Sequence, residues 1–185
     1  LQVVFHSRIE EEQGSFDLSD VADGVCKKLI HRHPHVFGNV QADNSAQVLA
    51  NWDQIKREEK NQKTTAEAMD SVARSLPGLW RAEKVQSKAA KAGFDLPDAA
   101  AALAGVEACT AALGRQLAQQ QDPSAAFGAL LFFAAALGRR CGLDGEAALA
   151  RCCDDFIASF SAMEQAGTPN AQALYDPKKL KSERD

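Results

Sequence analysis

Apolar residues in this chain recur at three- and four-residue intervals, in segments opened by capping residues and closed by glycine or proline. That rhythm constrains the fold more than any other feature. Leu1, Val4, Phe5 and Ile9 share one helical face. Val21, Val25 and Leu29 share another, behind a cap at Asp17 or Ser19 and before a stop at His33-Pro34. Val48, Leu49, Trp52 and Ile55 form a third stripe behind the cap signal Asn44-Ser45. Leu79–Ala92 is helical by pattern and closes at Gly93. Leu96-Pro97-Asp98 opens an Ala-rich segment to Gln121, Asp122-Pro123-Ser124 breaks it, Ala125–Cys141 follows, and Asp144 caps a last helix to about Gln165. No alternating run is long enough for a strand. The chain is predicted to be all-α.

Composition narrows the function classes. The 185 residues suffice for one domain or two small ones. With 45% hydrophobic and 25% charged residues and a net charge of −4, the chain has the make-up of a soluble globular protein. Non-specific nucleic-acid binding needs a clustered basic face, which a mildly acidic chain does not offer. No apolar run approaches the ~20 residues of a membrane span. The longest, Ala125–Leu137, is short and Ala-rich, and no signal-peptide pattern is present. The five cysteines are an odd number, and Cys152 adjoins Cys153, which speaks for a reducing cytoplasm instead of a disulfide framework. Leu1 is not Met and falls inside an amphipathic pattern, so an upstream portion is expected.

The chemistry-bearing residues cluster around VCKKLIHRHPHVF. Lys28 and Arg32, four apart just before a proline-enforced stop, project from one helix face. They suit the helix dipole there. They also form a two-pronged grip for phosphate, since Arg chelates two oxygens and Lys adds a mobile point charge. Trp52 and Lys56 repeat the spacing and set a flat apolar ring beside a cation. Grip and ring together are the minimum for holding a nucleotide, although surface charge and a core tryptophan leave the same pattern. His31, His33 and His35 alternate across a helix end and a proline, with Cys26 the one thiol nearby. Their rings point different ways, which favours satisfied or exposed imidazoles over a metal site. Glu10–Glu12 and Glu58-Glu59 are consecutive, fan round their helices, and read as solvated surface.

The two halves can be laid over each other. Phe16-Asp17 corresponds to Leu143-Asp144, and eleven residues beyond each aspartate stand Lys28 and Asp155. Leu29-Ile30 then matches Phe156-Ile157, and Arg32 falls against Ser159. The second copy keeps its packing positions and loses the grip.

The stretches LQVVFHSRI, SDVADGVCKKLIHRHPHVFG, VLANWDQIKREEK and SLPGLWRAEKVQSKAAKAGFD, with Gly128–Glu164, resemble the MazG family of nucleoside triphosphate pyrophosphohydrolases. Their order is that of a tandem two-domain member, and HRHPHVFG followed by W-x-x-I-K is the specific part. The resemblance implies an all-α, MazG-like helical bundle in two related copies. It also implies Mg²⁺-dependent cleavage of nucleoside triphosphates to monophosphate and pyrophosphate. Lys28 and Arg32 match the family's phosphate-contacting Lys-x-x-x-Arg, and Trp52 and Lys56 match the pair that holds the base. The family's magnesium ligands, on an E-E-x-x-E helix and an E-x-x-D helix, are expected upstream of Leu1 for the first copy. In the second copy Gly105–Leu113 keeps only Glu107, with Ala108 and Ala111 where carboxylates belong, and Ala126-Phe127-Gly128-Ala129 lacks its acid. No catalytic or metal-ligating residue is therefore expected within the chain.

On this reading residues 1–63 are the C-terminal part of a first MazG-like domain and 64–78 a linker. Residues 79–166 are a degenerate second copy, with Phe132, Phe133, Phe156 and Phe160 as its core, and 167–185 a charged tail. The Ala-rich helices bury little area each, so a homo-oligomer, most simply a dimer completing a four-helix bundle, is expected. The expected partners are nucleoside triphosphates, with neither membrane nor nucleic acid. A non-catalytic nucleotide-binding or regulatory module of the same descent is the alternative.

Overall fold

A computed structural model describes residues 1–38, 44–59, 62–167 and 175. Among them there are helices and no strands, as the periodicity predicts. The chain divides into two units, Leu1–Thr64 and Thr65–Asp185.

The first unit contains α1 (Gln2–Glu12), α2 (Leu18–Arg32), the short α3 (Pro34–Phe37) and α4 (Ser45–Glu59), and α2 is the helix that the others pack against. The chain leaves α1 through Gly14, whose φ of +73° is a left-handed conformation that glycine adopts without strain. Asp17 starts α2 by a reciprocal capping box: its carboxylate accepts the Asp20 N–H at 2.9 Å, and Asp20 accepts the Asp17 N–H at 3.0 Å. Helix α2 ends at Arg32, because Pro34 cannot continue it and instead begins α3. Asn44 caps α4 by accepting the Gln47 N–H at 2.9 Å.

The second unit contains α5 (Thr65–Asp70), α6 (Gly78–Lys91), α7 (Ala99–Ala118), α8 (Ser124–Arg140) and α9 (Gly145–Gln165). Its closest pairing is α7 on α8. There Ala102, Ala135 and Ala136 are buried, and Gly105 lies so near the Phe133 ring that no β-carbon would fit between them. Asp144 fastens the start of α9 to that of α6: it accepts the Ala147 N–H at 3.0 Å as a cap and the Trp80 indole N–H at 2.9 Å. Glu146 accepts the Leu79 N–H at 3.1 Å beside it. The amide of the buried Gln86 on α6 donates to the Phe132 carbonyl on α8 at 2.8 Å. Asp95 gathers Arg139 and Arg140 from the end of α8.

Three expectations need correction. Residues 64–78, read as a linker, contain α5, which packs on α6; Ala68 within it and Val72 just beyond it are buried. The segment is polar overall, yet two small apolar side chains suffice to dock a helix of six residues. The aromatic core of the second copy is the next. Phe132 and Phe160 are 45% and 48% exposed, while Phe133 and Phe156 are half-buried. Helices that meet through alanine and glycine approach too closely to sandwich rings, so part of the aromatic set projects outward. In the first unit, too, the stripe Leu1, Val4, Phe5 and Ile9 is exposed, and the buried residue of α1 is Ser7, whose hydroxyl donates to the Val3 carbonyl at 2.9 Å. Val25 and Leu29 remain half-exposed. The Leu49 side chain, and the tail 167–185 apart from Gly167 and Tyr175, lie outside the described residues.

Candidate nucleotide site

Helices α2 and α4 enclose a cavity of about 430 Å³ in the first unit. Val25 and Leu29 of α2 and Val48 and Trp52 of α4 supply its apolar walls, and Lys28, Arg32 and His33 its polar side. Positions 25, 28, 29 and 32 recur at three and four residues, so one face of α2 presents all four to the same space. The structure thus brings Lys28, Arg32 and Trp52 together, a basic pair at one side of an apolar slot. Lys56, one turn beyond Trp52, folds its ammonium over the indole at 4.0 Å from the ring centroid, a cation–π contact. One ring face is thereby held by Lys56.

An ion pair joins the last turns of α2 and α4. Arg32 donates from Nε to both oxygens of Glu59 at 3.1 Å, and Nη2 bonds Oε2 as well. The two side chains are 15% and 26% exposed, and His31 Nε2 stands 4.0 Å from Oε1. The Arg32 guanidinium holds the Glu59 carboxyl below the usual carboxylate range, chiefly through these hydrogen bonds. Reading Glu58-Glu59 as solvated surface missed this partner. The signal was present: Trp52, Lys56 and Glu59 are spaced i, i+4, i+7 and share one stripe of α4.

His33 turns Nδ1 to the Leu29 carbonyl at 2.8 Å, and its ring lies 5.7 Å from that of His35 at a tilt of 56°. Neither arrangement gathers ligands. Glu11 and Glu12 pair with Arg8 at 3.0 and 3.3 Å, and Glu58 accepts from Gln54 at 3.0 Å. Among the described residues no group of three His, Cys, Asp or Glu side chains could hold a metal. The magnesium ion that the resemblance implies finds no fitting donor set among them.

The described residues thus form an all-α scaffold in which α2 and α4 carry a basic pair and an aromatic ring on one cavity. Comparison with known proteins finds relatives. Residues 1–37 match the MazG nucleotide pyrophosphohydrolase domain. The chain is 36% identical over 168 residues to the nucleoside triphosphate pyrophosphohydrolase of Escherichia coli (strain K12), covering 89% of this chain and 64% of that protein. It is 34% identical over 168 residues to the nucleoside triphosphate pyrophosphohydrolase/pyrophosphatase MazG of Thermotoga maritima, covering 89% and 62%. The nucleoside triphosphate pyrophosphohydrolase of Mycolicibacterium smegmatis is 38% identical over 96 residues, 51% of this chain and 29% of that protein. The chain is thus similar to MazG-family proteins along most of its length, and residues 1–37 carry the family's domain signature. It spans less than two thirds of the length of these relatives.

Proposed function

We propose that this chain binds a nucleoside triphosphate in the α2–α4 cavity, with the phosphates at Lys28 and Arg32 and the base against Trp52, flanked by Lys56. In this reading it serves a pyrophosphohydrolase that yields nucleoside monophosphate and pyrophosphate. The observation that carries it is the convergence of Lys28, Arg32 and Trp52 on one cavity. The activity in the names of the relatives supports the reaction. Cleavage builds negative charge on the departing phosphates, and an ammonium and a guanidinium fixed beside them stabilise that charge. Dependence on Mg²⁺ belongs to the proposal, with ligands outside the described residues.

Charge-assisted bonds are strong enough that Arg32→Ala should weaken ATP binding by about one to two decades. Trp52→Ala should cost about 1–3 kcal/mol of binding if the base stacks there. Calorimetric titration of ATP and AMP into the parent and both variants is the test. Unchanged ATP affinity in Arg32→Ala would overturn the site. Lost thermal stability without a selective binding defect would make Trp52 a packing residue only.

A second reading, a nucleotide-binding or regulatory module without catalysis, is favoured by the lack of a metal-holding cluster among the described residues. Turnover of ATP with Mg²⁺ by this chain would exclude it. The proposal extends to a homodimer, supported by half-exposed apolar residues such as Phe5, Leu29, Phe132 and Phe160. A reducing cytoplasm suits the five cysteines, all of them free. No single helix among the described residues is long and apolar enough to cross a membrane, and the net charge of −4 speaks against nucleic acid as a partner.

A further inference from the structure

The phosphate grip already holds an anion. Both oxygens of Glu59 take the Nε–Nη2 edge of Arg32, an edge suited to chelating two phosphate oxygens. His31 approaches the same carboxylate to 4.0 Å, and the charge of Lys28 acts on it too. The Arg32 guanidinium, the His31 imidazole and the charge of Lys28 therefore act on one carboxylate beside the cavity that Lys28 and Arg32 line. Glu59 sits in the last turn of α4, seven residues from Trp52 on the same stripe. The ring that would hold a base and the internal anion thus share α4, while Arg32 faces that anion from α2.

We propose that Glu59 is a displaceable internal counter-ion of Arg32: a nucleotide's phosphate must expel it to bind, and its return to Arg32 helps release the phosphate-bearing product. This rests on the nucleotide reading of the cavity given above. With Glu59 in place the pair carries no net charge, so an arriving phosphate gains little from Arg32 until the carboxylate swings away. Glu59 ends a helix and its side chain keeps 26% of its surface exposed, so it can swing into water without unpacking the unit. When the phosphate leaves, the carboxylate takes up the guanidinium again.

The test is a double-mutant cycle on the full chain, with ATP as the probe and EDTA present to prevent turnover. Glu59→Gln keeps the shape and removes the charge. It should bind ATP about tenfold more tightly than the parent, the equivalent of one charge-assisted contact no longer competed for. The gain should appear as slower dissociation, and Glu59→Ala should move in the same direction. In an Arg32→Ala background, Glu59→Gln should change ATP affinity far less, because the contact it competes for is gone. If Glu59→Gln and Glu59→Ala bind ATP no more tightly than the parent while Arg32→Ala weakens binding, Glu59 merely positions Arg32 and the inference is overturned, with the site intact. If Arg32→Ala binds ATP as the parent does, the nucleotide reading itself fails and the inference falls with it.

Discussion

Replacing Gly105 by alanine tests the packing of the second unit at its tightest point. A β-carbon there would stand 2.2 Å from Cδ1 and 2.4 Å from Cε1 of Phe133, and Cγ, the ring atom nearest the backbone, is only 2.8 Å away. Because the obstruction reaches Cγ, swinging the outer edge of the ring does not relieve it; the whole side chain or α8 must move. Overpacking of this kind costs about 1–3 kcal/mol. Against it stands the gain from replacing glycine inside a helix, about 1 kcal/mol. The same helix contains its own control. Gly114 has nothing within 4 Å of an added β-carbon, so Gly114→Ala should show the propensity gain alone. Gly105→Ala should therefore be less stable than Gly114→Ala by about 1–3 kcal/mol in urea unfolding followed by helical circular dichroism. Combining Gly105→Ala with Phe133→Ala should remove most of the clash and show coupling of opposite sign. If Gly105→Ala is as stabilising as Gly114→Ala, the close α7–α8 approach described above is wrong.

Acid should unfold the chain by a route the ion pairs define. Hydrogen bonds from Arg32 and Arg139, the leading cause in each case, hold Glu59 and Asp95 below the usual carboxylate range. Each therefore stabilises the fold fully above its unfolded value near pH 4, and the contribution is lost as pH falls through the lower folded value. The unfolding midpoint should be flat from about pH 5 to 8 and drop below about pH 4, with a shallower drop in Glu59→Gln and Asp95→Asn. Asp144→Ala removes both the α9 cap and the acceptor for Trp80, so its urea midpoint should fall. Asp144→Asn, which retains an oxygen, should lose less. Light scattering at micromolar concentration should report twice the 19.9 kDa chain mass; a stable monomer would refute the proposed dimer.

Helix starts were legible because they are local. Asp17, Asn44, Asp98 and Asp144 each bond an N–H three residues on, a geometry that needs no tertiary context. The convergence of Lys28 and Arg32 with Trp52 was legible only as two separate i, i+4 pairs plus a family resemblance, since spacing says which face a residue takes and not what faces it. Glu59 shows the limit. It lies 27 residues from Arg32, and only the meeting of two helix ends turns a solvated glutamate into a partner. The exposure of Phe132 and Phe160 has a similar origin. Periodicity marks an apolar face, but whether a ring or an alanine fills the contact depends on how closely two helices approach.

In the proposed complex base and phosphates share the α2–α4 cavity, and Trp52 can report on that directly. The chain has two tryptophans, so in Trp80→Phe the fluorescence comes from Trp52 alone. Titration of ATP into that variant should quench the emission to saturation, as a base stacks on the indole, and adding Arg32→Ala should shift the same quench to at least tenfold higher ATP. Emission that does not respond while calorimetry shows ATP bound to the same variant would place the nucleotide elsewhere and contradict the account.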